Sequence, residues 1–138
     1  MKLKDVMTTQ VEVVRPEASI QEAAEKMRAL DVGALPVCDG QQLKGMVTDR
    51  DLTVRATAQG RDPKATPVRE VLSPEVAYAF EDQDLEDAQR LMQEKQIRRL
   101  PVLSRDQRLV GIVALADVAA EAGKKDVART VQAVSKPS

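Results

Sequence analysis

The chain repeats itself. At a shift of 65 residues, Lys4-Asp5-Val6-Met7-Thr8 lies over Arg69-Glu70-Val71-Leu72-Ser73, and "SIQEAAEKMRALDVGALPV" (19–37) lies over "DLEDAQRLMQEKQIRRLPV" (84–102). Val11 lies over Val76, and Ala23/Ala88, Met27/Met92, Leu35/Leu100, Pro36/Pro101 and Val37/Val102 are identities. After one extra residue in the second turn, "LKGMVTDRDL" (43–52) matches "LVGIVALADV" (109–118). A repeat fixes the architecture before any single element is assigned. A copy of about 60 residues buries too little surface to be confidently stable alone, so the two copies are expected to pack on each other and share a cleft.

Each copy reads as β-α-β-β-α, an α/β (α+β) class. A short strand comes first, over 11–14 and 76–80; in the second, Val76, Tyr78 and Phe80 alternate with Ala77 and Ala79 and are read as core. A helix follows, with apolar Ile20, Ala23, Ala24, Met27 and Leu30 at helical spacing, as with Leu85, Ala88, Leu91 and Met92 in the copy. Ser19 with Glu22, and Asp84 with Asp87, are N-cap and N3 side chains for these helices. Two strands come next, over 35–38 and 44–47, joined by the polar turn Asp39-Gly40-Gln41-Gln42; the copy uses 100–103 and 109–113. A last helix begins near Asp49 and near Leu115. The Gly- and Pro-containing stretch 59–67 separates copy one (1–58) from copy two (68–122). In the tail, 123–138, Val127, Val131 and Val134 behind Asp126 predict a short amphipathic helix.

Composition excludes several classes. There is no histidine or tryptophan, and Tyr78 and Phe80 are the only aromatics, so the core is aliphatic. Twenty-one basic against 22 acidic residues give a net charge of −1, which offers no field to draw in nucleic acid. No run reaches the roughly 18 apolar residues of a membrane span, and the N-terminus lacks the apolar centre of a signal peptide, so a soluble cytoplasmic protein is expected. Cys38 is the single cysteine, placed in the apolar run "ALPVC" as a buried strand residue. Without histidine, a zinc site is not expected.

The stretch "VTDRDLT" (47–53) admits several chemistries. The D-x-D-x-T pattern of haloacid-dehalogenase-type phosphatases is present as Asp49-Arg50-Asp51-Leu52-Thr53, but in the second copy Leu115 stands for Asp49 whereas Asp117 keeps Asp51, so the element is built on the second aspartate. Thr48-x-x-Asp51 is also a capping box. By themselves Arg98 and Arg99 read as a solvated pair at a strand start.

"VGALPV…GMVTDRDL" and "IRRLPV…GIVALADV", each preceded by "VMTTQVEVV" or "VLSPEVAYA", resemble the paired cystathionine-β-synthase (CBS) domain across residues 3–120. The chain is similar to small bacterial CBS-pair proteins, some linked to stress or hypoxic responses. The resemblance implies two repeats related by a pseudo-twofold, a disc-shaped homodimer, and no catalytic residues. It implies a regulatory module that requires no cofactor and takes an adenosine-containing ligand, an adenine nucleotide or S-adenosylmethionine, between the repeats, then signals to a protein partner. By this likeness Asp51 accepts the ribose hydroxyls, Thr48 donates to phosphate or ribose, Arg98 or Arg99 meets the phosphate, and Val76 completes the site. The second site is degenerate: Ala114 replaces the hydroxyl beside Asp117, and Gly33-Ala34 with Val11 stand where the first has Arg98, Arg99 and Val76. A ligand-independent interaction module is the competing reading.

Overall fold

The computed structural model describes residues 1–124. The chain forms two compact units that do not coincide with the two copies, because each takes the lead-in segment of the other. The first unit is Gln10–Val76 with Gln107–Leu109; the second is Met1–Thr9, Ala77–Asp106 and, of the described residues, 110–124.

In the first unit, helix α1 (Ile20–Leu30) begins at Ser19, whose hydroxyl accepts the Glu22 amide at 3.1 Å, and ends at Asp31 in the left-handed conformation (φ 54°). Its apolar stripe buries Ile20, Ala23 and Met27. Strands β1 (Ala34–Asp39) and β2 (Gln42–Thr48) pair antiparallel across a tight turn, where Gly40 supplies φ 61°. The expected strand 11–14 pairs only at Val14, which bridges Val37 in parallel. After β2 come α2 (Asp49–Asp51), a π-helical stretch Leu52–Ala56 and a 3₁₀ turn Thr57–Gln59 closed by Gly60 at φ 70°. The stretch 59–67 is tied into this unit: the Pro63 and Thr66 carbonyls accept the Gln21 and Ile20 amides at 3.1 and 2.9 Å. The unit closes over Val14, Ile20, Met27, Leu35, Val37, Val47, Val68 and Val71.

The second unit repeats this plan. Strand β3 (Ala79–Phe80) runs parallel to β4 (Arg99–Leu103), which neighbours β5 (Leu109–Ala114). Helix α3 (Leu85–Lys95) ends at Gln96 with φ 55°, and a further helix, α4, covers 115–124. Asp84 stands at the α3 N-cap position without a side-chain cap bond; its carboxylate takes Lys2 Nζ at 3.0 Å. The core gathers Leu3 with Leu85, Met92, Leu100, Val102, Val113 and Val118.

The lead-in segments dock the same way in both units. Ser73 and Met46 exchange backbone hydrogen bonds of 2.8 and 3.0 Å; Thr8 and Ile112 exchange bonds of 2.9 and 3.0 Å. Each docking needs a glycine. A Cβ on Gly45 would come within 2.6 Å of the Ser73 carbonyl oxygen, and one on Gly111 within 3.0 Å of that of Thr8.

Of the strand expected over 76–80 only Ala79–Phe80 forms, and burial at Tyr78 and Ala79 is the opposite of the expected phase. Ala79 is 2% exposed and Ala77 packs on the core, whereas Tyr78 is 40% exposed and Val76 and Phe80 are half-buried. Tyr78 turns its ring edge-on to Phe80 at 5.6 Å, and the Arg105 guanidinium lies 4.2 Å over Phe80 while pairing with Asp82. Small Ala79 fits beneath the parallel strand, and Phe80 turns to its other side under Arg105. Cys38 is buried as expected. The tail helix expected around Val127, Val131 and Val134 lies outside the described residues.

Candidate functional site

The strand-to-helix corner of the first unit gathers four polar side chains. Strand β2 delivers Thr48 in extended conformation (φ −117°, ψ 162°), and the chain turns into α2. The Thr48 hydroxyl accepts the Asp51 amide at 3.0 Å, and Asp51 Oδ2 accepts the Thr48 amide at 3.0 Å. The reciprocal capping box read from the sequence is therefore formed. Ser73, positioned by its backbone pairing with Met46, points its hydroxyl at both Asp51 oxygens at 3.4 Å. One helical turn on, Arg55 brings Nε to 3.7 Å from Asp51 Oδ1 and donates from NH1 to the Leu72 carbonyl at 3.3 Å.

This arrangement leaves chemical capacity unused. Capping uses one acceptor lone pair of the Thr48 hydroxyl, so its O–H remains a donor. Asp51 is buried, with its charge opposed by Arg55, whose Nε is beyond hydrogen-bond range at 3.7 Å. Oδ1, approached by the Ser73 hydroxyl at 3.4 Å, keeps one lone pair for a hydroxyl ligand. Ser73 and Arg55 were absent from the sequence reading. Arg55 could have been found from its i+4 spacing to Asp51; the alignment of Ser73 under Thr8 marks a second hydroxyl but not its contact with Asp51.

Asp49, the residue that gave the stretch its enzyme-like look, is exposed; its amide bonds to the Gly33 carbonyl at 2.9 Å and its carboxylate to the Arg50 amide at 2.8 Å. Val76 is half-buried in the first unit, as are Val11 and Ala34, the first residue of β1. Arg98 and Arg99 are exposed at the start of β4 in the second unit. The Arg98 carbonyl accepts the Leu115 amide at 2.7 Å, the counterpart of the Gly33–Asp49 bond.

The second corner is different. Half-buried Ala114 ends β5 where β2 ends in Thr48, and Asp117 is exposed on α4 where Asp51 is buried. Without the threonine hydroxyl no capping box forms, and the carboxylate is not drawn into the corner.

A CBS domain model matches residues 3–56 and again 68–124, so the chain belongs to the CBS domain family, with two copies of the domain. The CBS domain-containing protein YhcV of Bacillus subtilis is 54% identical over 117 residues, covering 85% of this chain and 82% of its own. Hypoxic response protein 1 of Mycobacterium tuberculosis is 36% identical over 135 residues, covering 97% of this chain and 94% of its own. A solved structure of hypoxic response protein I with two coordinated zinc ions superposes with a TM-score of 0.79 at 37% identity, covering 87% of this chain and 98% of that one. CBSX2 from Arabidopsis thaliana in complex with AMP gives a TM-score of 0.77 at 30% identity, covering 91% of this chain and 98% of that one. The zinc belongs to that neighbour: this chain has no histidine, and among the described residues no three metal-ligating side chains gather. No described helix is long and apolar enough to cross a membrane.

Proposed function

We propose that the protein is a non-catalytic regulatory module that binds an adenosine-containing ligand, with the ribose hydroxyls on Asp51 and the Thr48 hydroxyl donating to the ligand. The observation that carries this reading is the corner itself: a buried, oriented carboxylate with an unused lone pair beside a hydroxyl with an unused proton. Two further supports are the likeness to a CBS protein that binds AMP and the exposed guanidinium pair Arg98-Arg99, which the family resemblance assigns to phosphate. In this reading Val76 adds apolar surface to the site, and the corner at Asp117, with Ala114, Ala34 and Val11, is degenerate. The protein acts as a homodimer and passes the ligand signal to a protein partner. Similarity to a hypoxic response protein favours a stress-related setting.

One observation favours a second reading, a ligand-independent interaction module. Asp51 is only 8% exposed and already accepts from Thr48 and Ser73, as a purely structural cap would. A thermal-shift panel of AMP, ADP, ATP, NAD and S-adenosylmethionine separates the two. A ligand at a hundredfold excess over its Kd stabilises the fold by about 2.7 kcal/mol. A shift reduced by the exposed-site double variant Arg98→Ala/Arg99→Ala supports ligand sensing; silence across the panel supports the interaction module.

A further inference from the structure

The two corners differ in charge as well as in capping. In the repeat, Arg55 stands where the second copy has Glu121. The first corner therefore pairs Asp51 with a cation: Arg55 Nε lies 3.7 Å from Oδ1, its side chain is 51% exposed, and its NH1 is anchored on the Leu72 carbonyl. The second corner carries two acids one helical turn apart, Asp117 and Glu121, with Glu121 drawn to Lys124 at 3.2 Å. Like charges at this spacing repel each other and any anion brought near them.

From this charge reversal we propose that Arg55 is the specificity-determining residue that makes the first corner select a phosphorylated adenosine ligand, and that Glu121 makes the second corner reject one. The inference rests on the adenosyl-binding reading above and adds the charge class of the ligand. A diol held by Asp51 carries its 5′ substituent one sugar ring away, within the sweep of a half-exposed arginine already centred on that carboxylate. Guanidinium suits this role because its planar fork matches phosphate oxygens, and one N–H pair stays free when NH1 is anchored. At 51% exposure its field is screened, so the effect is about tenfold rather than thousandfold.

The test is calorimetric titration of the full chain with AMP and with adenosine, in wild type, Arg55→Met and Arg55→Lys, with melting midpoints recorded for each. The expected result is AMP preferred over adenosine in wild type, a loss of about tenfold for AMP with adenosine within twofold in Arg55→Met, and most of the preference retained in Arg55→Lys. Equal losses for both ligands in Arg55→Met would make Arg55 a mere support for Asp51 and overturn the proposal. Adenosine binding without any AMP preference in wild type overturns it too, while leaving the adenosyl reading intact. No binding of either ligand removes both. Should Arg55→Met fail to fold, Arg55→Gln, polar but uncharged, takes its place: the same loss for AMP alone is expected, and an unchanged AMP preference overturns the proposal.

Discussion

Thr48 and Asp51 hold each other twice, amide to carboxylate and amide to hydroxyl, each at 3.0 Å. The pair stops β2 and starts the helix, and it fixes the rotamers that any ligand at this corner would meet. Ala114 and Asp117, in the matching places, make no such pair.

The cap has a measurable worth. Thr48→Ala is expected to lower stability by about 0.5–2 kcal/mol in urea unfolding, and Thr48→Ser to retain most of it. The reciprocal change Ala114→Thr is expected to recreate the box with Asp117 and raise stability by up to about 1 kcal/mol. A neutral Thr48→Ala would mean that the bonds contribute nothing net.

The exchange of lead-in segments makes Leu3 a core residue of a unit whose other buried core residues all lie beyond 76. It is fully buried. Leu3→Ala should cost about 2–5 kcal/mol, the range for a buried leucine. A loss below about 1 kcal/mol would show that the segment is not docked.

Glycine substitutions should separate close approach from open space. Gly45→Ala pushes a methyl to 2.6 Å from a backbone carbonyl that cannot swing away, and is expected to cost about 1–3 kcal/mol. Gly123→Ala meets nothing within 4 Å on helix α4 and should stabilise by about 0.5–1 kcal/mol. Circular dichroism melts of both variants decide the matter.

Burial pushes the Cys38 thiol from its ordinary 9.0 up to about 11. The unfolded chain releases this proton before the folded chain does. The contribution is therefore complete below about pH 9 and is lost as pH rises towards 11, amounting to roughly 3 kcal/mol at most. Urea unfolding at pH 8 and 10.5 should show wild type losing more stability than Cys38→Ala; parallel losses would contradict the burial.

Much of this was legible in the sequence for physical reasons. Helices α1 and α3 announce themselves because their apolar residues recur at helical spacing, and the capping box because Thr48-x-x-Asp51 is a local pattern. Period-2 alternation over 76–80 says which residues share a face but not which face is buried, and so Tyr78 was assigned to the wrong side. Ser73 was invisible for another reason: it reaches Asp51 from the lead-in of the other copy, through a pairing with Met46 that no local pattern encodes. The corner was thus half legible, its cap and Arg55 from spacing along the chain and its Ser73 contact only from the folded chain.

On the proposed function each chain has one working adenosyl corner. Calorimetric titration of the full chain with AMP tests it most directly. One site per chain is predicted, weakened by Arg98→Ala/Arg99→Ala with the melting midpoint unchanged; two equal sites per chain, or no heat of binding at all, would contradict it.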